Sequence, residues 1–173
     1  MPAPKIYIPI SLWKEMIREL YRRGEEVRES GAFLLSKSDE LIVREFICYD
    51  DLDPNCLDKG YIDFNGRGFI SLWKYCQEKG LKVLCDVHTH PGKWTLQSEL
   101  DRLHPMIAVP GHLALIIPSF AATKNQLLQG VGVHKYLGNF QWRSYKSNSG
   151  IVKLEKKWKI KLLKIIYTGW PLV

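Results

Sequence analysis

The sequence predicts a mixed α/β fold, a mixed β-sheet with helices packed against it. Three observations carry that expectation. An amphipathic helical stripe opens at Ser11, a second helical pattern spans 69–78, and apolar runs of strand length recur between and after them, most plainly at 81–87 and 113–117.

In chain order, the first helix sets Leu12, Trp13, Met16, Ile17, Leu20 and Tyr21 on one stripe. Its charged end is expected over 21–28, where Glu25 and Glu26 read as solvated surface. Glu29 then precedes Ser30-Gly31-Ala32-Phe33-Leu34-Leu35-Ser36, a small-residue and apolar run that reads as a buried strand. Residues 41–48 read as another. The longest loop-like stretch is 49–58 (YDDLDPNCLD), with Asn65-Gly66-Arg67-Gly68 after it. The helix at 69–78 carries Leu72, Trp73 and Cys76, aromatics and a thiol that read as core. Lys79-Gly80 leads into 81–87 (LKVLCDV), a buried strand running into His88. Three further strands are expected at 113–117, 130–136 and 140–145.

At 173 residues and 46% hydrophobic content, one domain spanning 1–173 with a substantial core is expected. No repeat, low-complexity tract or linker divides it. The opening MPAPKIYIPI is too short and too interrupted for a signal peptide's core, and no segment approaches the ~20 apolar residues of a membrane span. Cys48, Cys56, Cys76 and Cys85 show no CxxC pairing, which argues against a disulfide framework or a second zinc site and favours the cytoplasm. The net charge of +7 is uneven: 151–173 holds six Lys and one Glu, interleaved with Trp158, Ile160, Leu162, Leu163, Ile165 and Ile166. Such a segment could grip an acidic partner, nucleic acid or a membrane surface. The favoured reading docks it on the domain, since Leu154, Trp158, Leu162 and Ile165 fall at helical spacing.

The chemistry concentrates in His88-Thr89-His90-Pro91, followed by Ser98 and Asp101. Side chains alternate along a strand, so His88 and His90 point to the same side and can grip one ion from the strand end. Pro91-Gly92 then turns the chain away. A zinc hydrolase wants three protein ligands and an open fourth position. Asp101 is the natural third ligand, one helical turn after Ser98. Two bland alternatives stand beside it. Ser98-Glu99-Leu100-Asp101 is also a capping-box-like helix start. Asp86 shares strand parity with His88 and His90, so Asp86-x-His88-x-His90 is a rival ligand set. The expected general base is Glu29, a carboxylate just ahead of a buried strand. His104-Pro105 reads as a helix end, and His112 and His134 are weak candidates as ligands.

Glu29 together with His88-x-His90-Pro91, Ser98 and Asp101, in the spacing His90-x7-Ser98-x2-Asp101, resembles the JAB1/MPN/Mov34 metalloenzyme signature, the JAMM motif. The resemblance covers Glu29 through the apolar segment 111–122. Ser36 stands where a Gly is common and Gln97 where a Pro is frequent, and neither change removes a catalytic group. The resemblance implies the MPN (cytidine-deaminase-like) α/β/α sandwich around a mixed sheet. It implies one Zn2+ per chain held by His88, His90 and Asp101, with Glu29 as general acid/base and Ser98 supporting the oxyanion.

It also implies a substrate class: ubiquitin or ubiquitin-like proteins and their conjugates, cleaved after the C-terminus. The segment 109–118 (VPGHLALIIP) resembles the bacterial branch that accompanies activating- and conjugating-type enzymes, including antiphage operons. The extended tail of such a substrate would need a groove, with 49–68 as a mobile flank. Rival classes fare worse. A base deaminase uses HxE with PCxxC, both missing here, and a barrel hydrolase wants about 250 residues. A non-catalytic MPN-fold binding module, or a zinc hydrolase of another amide, remains as alternative. A nucleic-acid binder built on the basic tail is the weakest.

Overall fold

The computed structural model of the chain describes residues 5–123 and 126–156. The first strand, β1 (Ile6–Pro9), leads directly into α1 (Ile10–Gly24). Then follow β2 (Gly31–Lys37), β3 (Glu45–Cys48), the single turn α2 (Tyr49–Leu52), α3 (Gly66–Lys79), β4 (Leu81–Thr89) and the short α4 (Glu99–Leu103). The rest is β5 (Leu113–Ile117), a 3-10 turn (Ser119–Ala121), β6 (Gly132–Gly138), β7 (Gln141–Tyr145) and β8 (Val152–Glu155).

The main sheet has six strands in the order β3-β2-β4-β5-β6-β7, and β4–β5 is its parallel pair among antiparallel neighbours. β1 and β8 form a separate parallel pair. The predicted mixed α/β class is what the chain adopts. Both faces of the sheet are covered, which follows from the alternation along its central strands. Ala32 and Leu34 of β2, with Val87 of β4, join Trp13, Met16, Ile17 and Leu20 of α1 in one core. Phe33 and Leu35 point the other way and meet Leu72 and Cys76 of α3 together with Tyr49, Leu52, Cys56 and Leu57.

Several boundaries differ from the sequence expectation for identifiable reasons. Helix α1 stops at Gly24 because Glu25 and Glu26 take left-handed backbone, φ 51° and 58°, while Ser30 Oγ–H donates to the Leu20 carbonyl in its last turn at 2.7 Å. α3 starts earlier than expected: Asn65 caps it by accepting the Arg67 N–H at 2.8 Å, and Gly80 at φ 63° ends it. Trp73 is 48% exposed, on the outer side of α3 rather than in the core. The stretch 49–58, expected as a loop, begins with α2 and buries Tyr49, Cys56 and Leu57. Leu154 lies in a strand, not a helix, and the basic residues 157–173 fall outside the described residues. Among the described residues no helix is long and apolar enough to cross a membrane.

Gly31 decides how the second core meets the sheet. A Cβ there would sit 2.2 Å from Tyr49 Cε2 and 2.7 Å from the Val87 carbonyl oxygen. The Tyr49 ring takes up the space a Cβ would need and packs on Phe33 with ring centroids 4.7 Å apart. Gly31→Ala is expected to cost about 1–3 kcal/mol of stability, as overpacking does. Thermal unfolding checks it, and an unchanged midpoint would contradict the close packing.

Candidate metal centre

Strand β4 delivers the two imidazoles. Gly31 opposite His88 on β2, and Ile116 opposite it on β5, fix the register, and the Thr89 N–H donates to the Ser30 carbonyl at 2.9 Å. The His90 N–H donates to the Ile117 carbonyl at 2.9 Å, so the strand edge is held one residue beyond the ladder. Both rings are 5% exposed and their Nε2 atoms stand 3.2 Å apart, aimed at a shared point.

Asp101 reaches that point from α4. One carboxylate oxygen lies 3.4 Å from His88 Nε2 and the other 3.2 Å from His90 Nε2. The capping box also forms: the Ser98 N–H and Oγ–H donate to Asp101 Oδ2 at 2.8 and 2.7 Å, and the Asp101 N–H donates to Ser98 Oγ at 3.1 Å. The capping box and the placement of Asp101 beside both imidazoles therefore occur together. The cap fixes the carboxylate that the imidazoles meet.

Donor atoms of His88, His90 and Asp101 all lie within 4.8 Å of one another, a group able to hold a metal ion. Two imidazole nitrogens and one carboxylate oxygen are a donor set that a divalent transition-metal ion accepts. Asp86 is not in that group. It lies behind His88, its carboxylate accepting from His112 Nε2 at 2.6 Å. Asp101→Asn is expected to lose most zinc in a metal assay. A chain keeping full zinc in that variant would return Asp86 to candidacy.

The intervening turn is pinned from other elements. His90 Nδ1 lies 3.2 Å from the Trp94 carbonyl, to which it donates, leaving Nε2 free as a ligand. His134 Nε2 donates to the Thr95 carbonyl at 2.8 Å, and its Nδ1 accepts from Ser144 Oγ at 2.9 Å. The same carbonyl would lie 2.1 Å from a Cβ on Gly132, so only glycine admits it. On the other side, Ser119, Phe120 and Ala121 hold left-handed backbone at φ 54°, 51° and 62°. Left-handed backbone costs an L-residue roughly 1–2 kcal/mol. The Ser119 and Phe120 N–H groups, donating to the Gly92 and His90 carbonyls at 2.8 Å each, offset that cost.

Charge in the cluster is tightly coupled. Burial opposes the charged form of His88, but the Asp101 and Asp86 carboxylates beside the ring outweigh it and raise the pKa to about 10. Burial likewise opposes ionised Asp101, yet both imidazoles and Ser98 hold it well below the usual carboxylate range. Glu29 is half-buried on the approach to β2. Burial raises its pKa, the charges of His88 and His90 oppose the rise, Asp101 adds to it, and the Ile62 N–H bonds the carboxylate. So Glu29 shares the electrostatic environment of the cluster. Burial also lowers the His134 pKa, keeping that ring neutral.

Sequence reading placed His104 at a helix end, and there it stands, exposed, its N–H on the Leu100 carbonyl at 2.9 Å. It did not foresee Ile62, Thr95 or Tyr49, which act through backbone groups or from distant segments. No local pattern marks such contacts.

No family model matches the chain. Among solved structures, protein DSY2949 from Desulfitobacterium hafniense superposes with a TM-score of 0.63 at 16% identity, covering 88% of this chain and 94% of that one. That likeness is one of fold. AF2198, a JAB1/MPN domain protein from Archaeoglobus fulgidus, aligns over 90% of this chain and 99% of that one at 16% identity, with a TM-score of 0.39, too low to carry an inference. Fold and cluster together define an α/β chain with a His-His-Asp group able to hold a metal at the end of a central strand.

Proposed function

We propose that the chain is a zinc metalloprotease or isopeptidase of the JAB1/MPN/Mov34 kind, hydrolysing the bond after the C-terminus of a ubiquitin or ubiquitin-like protein. The observation that carries the reading is the convergence of His88 Nε2, His90 Nε2 and the Asp101 carboxylate within 4.8 Å, with the Glu29 carboxylate coupled to the same charges.

Bound zinc supplies Lewis-acid activation of water and of the scissile carbonyl. The chain's own groups do the rest. Glu29, its pKa raised by burial, takes the proton from the attacking water and passes it to the leaving amine. Ser98 sits beside Asp101, and its hydroxyl, which donates to Asp101 Oδ2 at 2.7 Å, would turn from that carboxylate to support a developing oxyanion. One such donor is worth about 3 kcal/mol in other hydrolases. The turn 91–98 and the Ile62 backbone flank the approach.

The substrate class rests on the motif resemblance. Half of the segment that resembles the bacterial deconjugase branch is β5, all five of whose residues are buried, so packing alone can account for that half. Activating- and conjugating-type enzymes as partners, the antiphage setting and the cytoplasmic location share that footing. The deciding experiment incubates native chain and Glu29→Ala with ubiquitin-like proteins fused through their C-termini to a reporter. Zinc-dependent release by the native chain alone is the expected result. Equal release by both, or none from any tail, would overturn the reading.

A further inference from the structure

Asp86 is a carboxylate 2% exposed in the middle of β4, on the face that carries His88. Its neighbours across the sheet are Phe33 and Ala114. Burying such a charge costs several kcal/mol unless it is paired, and apolar replacements of buried ion pairs are often neutral or stabilising. Packing therefore gives no reason for a carboxylate here. Three groups nevertheless face it: His112 Nε2 donates to Oδ1 at 2.6 Å, the Tyr49 hydroxyl donates to Oδ2 at 3.3 Å, and His88 Nδ1 lies 4.0 Å from Oδ2.

His112 is itself anchored at both backbone groups. Its N–H donates to the Val109 carbonyl at 3.0 Å, and its carbonyl accepts the Tyr136 N–H at 2.9 Å. Each of the two imidazoles thus faces an oxygen on the side away from the cluster, His90 at 3.2 Å and His88 at 4.0 Å. For His90 it is a carbonyl; for His88 it is this carboxylate.

We propose that Asp86, held by His112 and Tyr49, is the positioning residue of His88: it accepts the Nδ1–H and so commits Nε2 to the metal. The proposal rests on the metal reading of the cluster. An outer carboxylate fixes the ring's tautomer and orientation and strengthens it as a ligand.

The test is zinc competition against a chromophoric chelator, joined to long-range 1H–15N spectra of the zinc-loaded chain. In the native chain, His88 should carry its proton on Nδ1. Asp86→Asn should bind zinc roughly 10- to 100-fold more weakly and give a mixed His88 tautomer. His112→Leu should weaken zinc in the same direction, whereas His112→Gln, which keeps a donor, should recover most of the loss. Native affinity and an unchanged tautomer in Asp86→Asn would overturn the proposal and leave the metal reading intact. A native chain that takes up no zinc would overturn both. Should Asp86→Asn fail to fold, the native spectrum decides, since ligation of zinc through His88 Nδ1 would sink the proposal by itself.

Discussion

Glu29→Gln is expected to keep its full complement of zinc and to lose hydrolysis by about 10²- to 10⁴-fold, the usual loss for a positioned acid/base. The amide matches the carboxylate in size and still accepts the Ile62 N–H, so the approach to β2 stays in place. What it cannot do is accept a proton. Glu29 contributes no atom to the His88, His90 and Asp101 group, and metal content is therefore the internal control. Parallel loss of zinc and activity would mean that Glu29 shapes the site rather than works in it. Full activity would remove it from the mechanism. Single-turnover rates with a ubiquitin-like fusion distinguish these outcomes from slow product release.

Zinc uptake by the metal-free chain is expected to release a proton, and His88→Ala to abolish both the uptake and the release. Without an ion, burial opposes a charged His88, but Asp101 and Asp86 raise its pKa to about 10, so the ring is protonated at neutral pH. A ligand must be neutral, and the apparent affinity should fall about tenfold for each pH unit below that value. Calorimetry in two buffers of different ionisation heat reads the proton directly. The same pKa has a consequence for the metal-free fold. A raised histidine stabilises it fully below the unfolded value of 6.5, and the contribution is lost as pH rises through about 10. Asp101 runs the other way, stabilising above 3.8 and losing the contribution as pH falls through its lowered folded value. The two describe one pair and count once. Chelator-treated native chain should melt lower at pH about 10 than near neutrality. In His88→Ala that alkaline decline should shrink.

The mixed α/β class was legible because β2, β4 and β5 each write their burial into the chain, and α1 shows its stripe. His88 and His90 were legible as a pair because strand alternation is local. The choice between Asp101 and Asp86 was not. Both share the right spacing with the imidazoles, and only the path of 91–98 folding back over β4 brings one to the Nε2 atoms and leaves the other behind the ring. His112 and His134 were weighed as ligands and lie outside the His88, His90 and Asp101 group. They lie at β5 and β6, distant in sequence, and serve Asp86 and Thr95 instead. The end of α1 was misread because two successive left-handed glutamates give no compositional sign.

The clamp on Thr95 sets the order in which this molecule can become competent. His88 through Asp101 are contiguous, yet the turn between them is fastened by Gly132 and His134, and beyond them by Ser144. A chain emerging from the ribosome has all three metal donors well before it has the strands that hold them at one point. The donor triad is written early and closed late. Ion capture in the geometry described here must follow docking of β6 beside β5.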